Sequence, residues 1–499
     1  MGAQKYILAI DQGTTGTTVA LVNHKGSVVL QVNKEFSQIF PKPGWVEHNP
    51  EEIWLSVVWG IKQVLKKSGI LPQQIASIGI TNQRETAVAF DGKTGRSLNN
   101  AIVWQCRRTE KFCDNLKKKK LEQLIYKKTG LTIDPYFSSS KINWLLKNSS
   151  KVKKNKNLKI GTIDSFLIYK LTAGESFKTD VSNASRTQLM NIDTLKWDKD
   201  LLKIFKVSKK VLPKITESTS LFGVTKGLKV LPSGIPITGV AGDQQAALFG
   251  QGAFLKGEAK CTYGTGSFIL LNTGSKKVES KNKLLTTVAW KLKDEKKAVY
   301  ALEGGAFICG ASVQWLRDEL NFFKSSDKIE ALAKKSKSSD GVVFVPAFNG
   351  LSAPYWQSNV RGIFLGLTRG TSKSNIAYAC LEALALQNVD ILNAMEEDLG
   401  LSLKFLKVDG GASKNNLLLQ MQANYLNKKI IRLKNVESTI KGAAFLSGLG
   451  SGYWKNLSEI KKFCKLDKVF VSKMPPSTRK TTLDRWKKAI KCAKVYHGN

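Results

Sequence analysis

The chain is 499 residues long and poor in several residue types that carry chemistry elsewhere. It has three histidines, His24, His48 and His497, so neither a histidine-based zinc site nor a Ser-His-Asp triad is expected. Its seven cysteines are odd in number and scattered, with no C-x-x-C, which predicts free thiols in a reducing cytosol. No apolar run approaches the ~18 residues of a membrane span. Strand-like residues begin almost at once, leaving no room for a signal peptide. A cytoplasmic protein is expected. Acidic residues are also scarce, 39 against 78 Lys and Arg, for a net charge of +39. That excess raises the question of a polyanion partner. It is mostly lysine, dispersed in runs such as Lys117 to Lys120, Lys151 to Asn157 and Ser275 to Lys283. No aromatic-interleaved basic stripe of the kind that stacks bases accompanies it. The expectation is a solvated, lysine-heavy surface with no specific nucleic-acid partner. Arginine is used sparingly, and Arg84, Arg107, Arg108, Arg186, Arg361 and Arg369 fall in low-lysine, motif-like stretches, where a planar bidentate donor is of use.

An apolar content of 42% and this length fit a globular chain of two to four domains, or two large ones. Residues 5 to 33 read as strands, Pro50 to Lys67 as a helix broken near Gly69, and 75 to 81 as a strand. IPITGVAGD reads as a strand with a tight turn, leading into a helix at QQAALFGQG. Helices are expected near 310–323, 373–399 and 415–426, with a docked or surface-seeking amphipathic helix at the C-terminus. The opening ILAIDQGTTGTTVALV, strand–Gly/Thr turn–strand, returns at 260–272 as KCTYGTGSFILLN. A repeat of about 250 residues suggests two similar α/β halves, 1–250 and 251–499, facing each other across a cleft where a small molecule binds.

Familiar nucleotide motifs are absent. GKT at 92–94 has Ala87 where a P-loop needs its first Gly, and GTGSFI is not G-x-G-x-x-G. Three Gly-rich turns remain: Gly13 to Gly16, Gly264 to Ser267, and DGGASKNN at 409–416. The first is either a polar hairpin or an anion-binding turn with Asp11 facing an accompanying cation. The third reads as a strand end before a helix N-terminus, which favours anionic groups. Asp243 is either a helix N-cap or, beside a phosphate cleft, a base for an incoming hydroxyl. Arg84 and Glu85 are either a surface pair or a donor and acceptor for a small polyol. Trp104 and Tyr136 are either core or an aromatic wall against its carbons.

Twelve stretches carry a resemblance: IDQGTT (10–15), KPGWVEHNPEEIW (42–54), GITNQRET (79–86), NAIVWQCRRT (100–109), DPYFSSSKINWLL (134–146), NASRTQLMNIDTLKWD (183–198), GVAGDQQAALFGQG (239–252), TYGTGSFILLNTG (262–274), GASVQWLRDEL (310–320), PAFNGLSAPYW (346–356), RGIFLGLTRG (361–370) and VDGGASKNN (408–416). In order and over most of the chain, they resemble the FGGY family of carbohydrate kinases, and KPGWVEH with GITNQRET resembles its glycerol-phosphorylating branch. The resemblance implies an actin-like, duplicated ribonuclease-H-type α/β fold and transfer of the ATP γ-phosphate to glycerol, giving sn-glycerol 3-phosphate. It implies Asp243 as catalytic base, and Arg84, Glu85, Tyr136, Asp243 and Gln244 on the glycerol hydroxyls, with Trp104 and Phe268 on its carbons. It further implies Thr14, Thr15, Gly16, Thr265, Gly310, Gln314, Gly411 and Asn415 on the nucleotide, Asp11 and Asp243 around Mg²⁺, and a homodimer or homotetramer. The competing expectations are another polyol or sugar kinase of this fold, an actin-like ATPase without a small acceptor, and a polyanion-binding protein. Where similar proteins continue the first turn to an Arg, this chain has Thr18, one charge fewer near the transferred phosphate.

Dispersed lysine without a stacking surface predicts nucleic-acid binding that is weak and sequence-independent. In a filter-binding titration it is expected to vanish between ~50 and ~200 mM salt, the range over which electrostatic binding falls steeply.

Overall fold

The computed structural model describes residues 4–357, 359–434 and 437–497. Its first half is built on strands β1 (Tyr6–Gln12), β2 (Gly16–Val22) and β3 (Val28–Glu35). After them come helix α1 (Pro50–Ser68), β4 (Ile75–Asn82), β5 (Pro236–Gly242) and α2 (Asp243–Gly250). The core order of this six-stranded sheet is β5-β4-β1-β2-β3, with β1–β2 and β2–β3 antiparallel, β1–β4 and β4–β5 parallel, and a two-residue edge strand, Gly223–Val224, antiparallel to β5. Strands β1 and β2 read as near-continuous apolar runs because helices cover both faces of the sheet, as parallel sheets require. On one face α1 starts at an Asn49 cap whose side chain accepts from the Glu51 amide, with Pro50 in the first turn, and stops at left-handed Gly69. It buries Ile53, Val57, Ile61 and Val64, one stripe at helical spacing. Burial of each such side chain contributes about 1.5–3 kcal/mol.

The second half repeats the plan with β6 (Ala259–Tyr263), β7 (Ser267–Gly274), β8 (Leu285–Trp290), β9 (Val299–Ala306), β10 (Phe405–Asp409), β11 (Lys429–Leu433) and β12 (Leu466–Phe470). Its core order, β9-β7-β6-β10-β11, matches that of the first sheet strand for strand, with the same directions. The helices are α3 (Gly310–Asp318), α4 (Lys373–Leu399), α5 (Asn416–Leu426), α6 (Ser438–Gly450) and α7 (Pro476–Tyr496). α3 is shorter than the 310–323 expected, because the chain turns at Asn321, whose backbone is left-handed. α7 is docked: Trp486, Ala489 and Ile490 are buried, and the Trp486 indole donates to Asp390 Oδ2 of α4 at 2.7 Å.

The two halves interlock through α2 and α6, which occupy equivalent places after β5 and β11. A Cβ on Gly442 would fall on the Ala246 carbonyl, and one on Gly239 would fall on the Ser447 amide. Helix α6, from the second half, therefore lies directly on α2 and on the first sheet. Ala9, Phe249, Leu270, Ala301 and Phe445 join there in one buried cluster drawn from both halves.

Gly442→Ala is expected to destabilise the chain by at least the ~1–3 kcal/mol of an overpacked core, since backbone cannot move aside as a side chain can. Chemical denaturation measures it, and a native midpoint would mean that α2 and α6 can separate without cost.

Candidate active site

The site is built where the end of β4, the start of α2 and the strands β6, β7 and β9 come together. The loop after β4 carries Gln83, Arg84 and Glu85, with Glu85 in left-handed backbone (φ 62°), so that neighbouring side chains diverge to different partners. Both Arg84 and Glu85 are buried, not surface groups. The Arg84 guanidinium makes a two-pronged contact with Glu303 of β9, Nη1 to Oε2 at 2.6 Å and Nη2 to Oε1 at 2.9 Å. Nη1 also donates to Gln245 Oε1 at 3.2 Å, and Nη2 to the Tyr136 hydroxyl at 3.2 Å. Arg186 completes the set, donating from Nε to Glu85 Oε1 at 2.7 Å and from Nη2 to Glu303 Oε1 at 3.0 Å. Two guanidiniums and two carboxylates thus alternate with side chains at most 2% exposed. Burial works to raise the Glu303 carboxyl, but Arg186 and Arg84 outweigh it and hold it down at about 2. Burial dominates at Glu85 and pushes its carboxyl up, against the pull of both arginines.

One edge of Arg84 is left over. Its Nε lies 3.7 Å from Glu85 Oε1 and 3.4 Å from Asp243 Oδ1, contacts too long for good hydrogen bonds. Asp243 is half-buried at the first position of α2, while Gly242 is the capping residue and offers no side chain. The N-cap reading of Asp243 is thereby corrected: the one backbone amide that donates to its side chain is that of the adjacent Gln244, to Oδ1 at 2.7 Å. Burial raises the Asp243 carboxyl, opposed by Arg84 and Lys260. Three aromatic rings wall the same place, with Trp104 edge-on to Tyr136 at 5.6 Å and to Phe268 at 6.4 Å. Buried Lys260 of β6 bonds the Gln244 side chain and the Phe268 carbonyl, and so ties two of these positions together.

The Gly/Thr turns lie alongside. The Trp104 indole donates to Thr14 Oγ1 at 3.0 Å, which joins the first turn to the aromatic wall. Thr15 is exposed, and Gly16 opens β2. In the second half the Cys309 and Ala311 amides donate to the Thr265 carbonyl at 2.8 and 3.1 Å, and the Gly310 amide to Gly264 at 3.0 Å. The start of α3 is thus pinned to the second turn, with Gln314 exposed one helical turn on. Gly411 begins a short turn directly after β10, the parallel neighbour of β6. The Asn415 side chain accepts from the Leu418 amide at 2.9 Å, which makes it the cap of α5. Asp11 sits at the end of β1 opposite Thr18, a neutral side chain whose hydroxyl accepts from Asn33 Nδ2 at 3.0 Å. Burial first, then Asp243 and Glu437, push the Asp11 carboxyl up to about 8. No cluster of three or more metal-ligating side chains occurs among the described residues.

Glu303 and Lys260 were not legible in the sequence, because each sits inside an ordinary apolar strand and gains meaning only from its partners across the molecule. Arg186 stood out only as a sparing use of arginine. Glu303→Leu leaves two guanidiniums buried without their shared acceptor, a loss of about 3–5 kcal/mol at pH 7. The folded Glu303 carboxyl lies below its ordinary value near 4.5, so its contribution is present above that value and fades as pH falls towards about 2. Denaturation midpoints of the native and Glu303→Leu chains are therefore expected to converge below pH ~4.5, and a constant gap would contradict the assignment.

The model for the FGGY family of carbohydrate kinases, N-terminal domain, matches residues 6–250, and the C-terminal domain model matches residues 259–450. A glycerol kinase of Bdellovibrio bacteriovorus is 58% identical over 98% of this chain and 99% of its own length. One from Listeria monocytogenes is 50% identical over 99% of each. Among solved structures, Plasmodium falciparum glycerol kinase with ADP superposes with a TM-score of 0.92 at 40% identity, covering 98% of both chains. A gluconate kinase from Lactobacillus acidophilus superposes at 0.88 with 26% identity, over 100% of this chain and 99% of its own. Two halves of matching strand order, a buried charge set where they meet, and family models spanning both halves agree: the chain belongs to the FGGY family of carbohydrate kinases.

Proposed function

We propose that the chain transfers the γ-phosphoryl group of ATP to a terminal hydroxyl of glycerol, giving sn-glycerol 3-phosphate and ADP. The observation that carries this reading is the free edge of Arg84. A donor aimed between two carboxylates, Glu85 and Asp243, is matched to adjacent hydroxyls, each of which must both give and accept a hydrogen bond. Trp104 and Phe268 offer apolar surface for the carbon face, and Tyr136, fixed by Arg84, closes the end. The full-length likeness to glycerol kinases favours glycerol over a larger polyol.

In this reading Asp243 takes the proton of the attacking hydroxyl. The hydroxyl oxygen bonds to the γ-phosphorus, the bond to the β,γ-bridging oxygen breaks, and ADP departs with that electron pair. A carboxylate raised by burial is better suited to this than an ordinary one, since a base works best with a pKa near the working pH. Thr14, Thr15, Gly16, Thr265, Gly310, Gln314, Gly411 and Asn415 are the residues we assign to the nucleotide, from the three turns that flank the site. Asp11 and Asp243 fit a magnesium ion: the Asp243 charge helps to raise the Asp11 carboxyl, a repulsion that a cation between them would relieve, and Mg²⁺ takes one or two carboxylates beside phosphate oxygens and water. Such an ion neutralises charge on the phosphates. We further propose two domains divided near residue 250, a cytoplasmic setting, and a homodimer or homotetramer. No helix among the described residues is long and apolar enough to cross a membrane.

Asp243→Asn is nearly isosteric and disturbs no helix cap, so its melting temperature is expected to stay close to native. Loss of the base lowers kcat by about a hundredfold or more. A coupled assay of ADP release with glycerol, run beside a thermal melt on one preparation, reads both. A variant that keeps most of its activity removes Asp243 from the mechanism.

A further inference from the structure

We propose that His48 is a positioning residue for the first Gly/Thr turn, acting through the side chains of Gln38 and Gln83. The inference rests on the reading of Gly13 to Gly16 as a phosphate-binding turn. His48 is fully buried, with the Phe36 ring edge-on at 5.0 Å. Its Nε2 bonds Gln38 Oε1 at 2.8 Å, and its Nδ1 accepts from Gln83 Nε2 at 3.3 Å. A neutral ring with its proton on Nε2 satisfies both contacts. Burial keeps it neutral by lowering its pKa to about 4.

Each glutamine then reaches the turn. Gln38 Nε2 donates to the Thr14 carbonyl at 3.0 Å, and Gln83 Nε2, whose two hydrogens are shared among three acceptors, lies 3.1 Å from the Gly13 carbonyl and from Gln12 Oε1 as well as 3.3 Å from His48 Nδ1. The Phe36 amide takes the Thr15 carbonyl at 3.4 Å, and the Gly13 amide takes that of Gly16 at 2.9 Å. Every carbonyl of the turn is thereby held from behind. Among the described residues, the Thr14 and Thr15 amides donate to no protein acceptor. Peptide units are planar, so fixing the carbonyls fixes which way the neighbouring amides point. Those two N–H groups are what an anion in the turn would meet. His48 touches both glutamines, and Gln38 depends on it more: among the described residues Gln38 Oε1 accepts from no other group, so without His48 that amide is free to turn over and its grip on the turn goes with it, whereas the Gln83 amide keeps the Thr86 hydroxyl on its Oε1 at 2.8 Å.

The test is calorimetric binding of ADP and, separately, of glycerol, to the native chain and to His48→Leu, His48→Gln, Gln38→Leu and Thr15→Glu. Gln can supply the same donor and acceptor as the neutral imidazole, and Leu supplies neither. His48→Leu is expected to weaken ADP binding at least about tenfold, with glycerol binding and kcat at saturating ATP close to native. His48→Gln is expected to restore ADP affinity to within about threefold of native. If His48→Leu does not fold, Gln38→Leu carries the same expectation from a half-buried position. Native ADP affinity in these variants while Thr15→Glu, which sets an anion in the turn, binds ADP weakly would overturn the role of His48 alone. Native ADP affinity in Thr15→Glu as well would remove the phosphate turn, and this inference with it. Equal weakening of both ligands, tracking a lowered melting temperature, would reduce His48 to a structural residue and overturn the proposal.

Discussion

The contact between Arg84 and Glu303 is the constraint on which the rest of the site depends. One partner lies in the loop just after a strand of the first sheet and the other inside a strand of the second, and they meet at 2.6 and 2.9 Å. As a source of stability such a buried pair is poor, because desolvation of both charges cancels much of their attraction. As a device for orientation it is strong. A planar guanidinium held on two prongs cannot rotate, so its remaining Nε edge faces one direction only. That edge lies between Glu85 and Asp243. Arg186 adds a second fork that holds both Glu85 and Glu303, and keeps the two carboxylates from repelling each other apart.

This arrangement ties chemistry to the meeting of the halves. Phe268 and Lys260 come from strands of the second half, while Arg84, Glu85, Trp104 and Tyr136 come from the first. Neither half alone has a complete pocket. The geometry is maintained at two levels: the glycine-mediated seating of α6 on α2 sets the distance between the sheets, and the charge set fixes the local directions. The two Gly/Thr turns lie on the β1–β2 and β6–β7 hairpins, which occupy equivalent places in the repeated sheets. A duplicated hairpin thus presents two Gly/Thr turns to one site.

Much of this was legible in the chain. The repeat showed because a strand–Gly/Thr–strand pattern is local, and α1 and α4 showed because caps and apolar spacing are local too. NQRE and GDQQ stood out because charged or amide side chains at strand ends have few structural reasons to be there. What was hidden depends on distance. Nothing near Glu303 in VYALEGGA marks it as the acceptor for two arginines more than a hundred residues away. Lys260 looked like one lysine among many, and only its burial separates it from the surface lysines. His48 could be read as excluding triads and zinc, but its bonds to Gln38 and Gln83 cross between segments that the sequence does not relate. The end of α3 and the cap of α2 shifted because single backbone conformations, at Asn321 and Gly242, decide them.

The central claim is that both halves together form a site that passes phosphate to a polyol and not to water. Phosphorus NMR of the native chain with ATP and Mg²⁺, with and without glycerol, tests it directly. The expected result is sn-glycerol 3-phosphate formed in step with ADP, little inorganic phosphate, and almost no ATP consumed when glycerol is left out. Release of inorganic phosphate at the same rate with or without glycerol would contradict it.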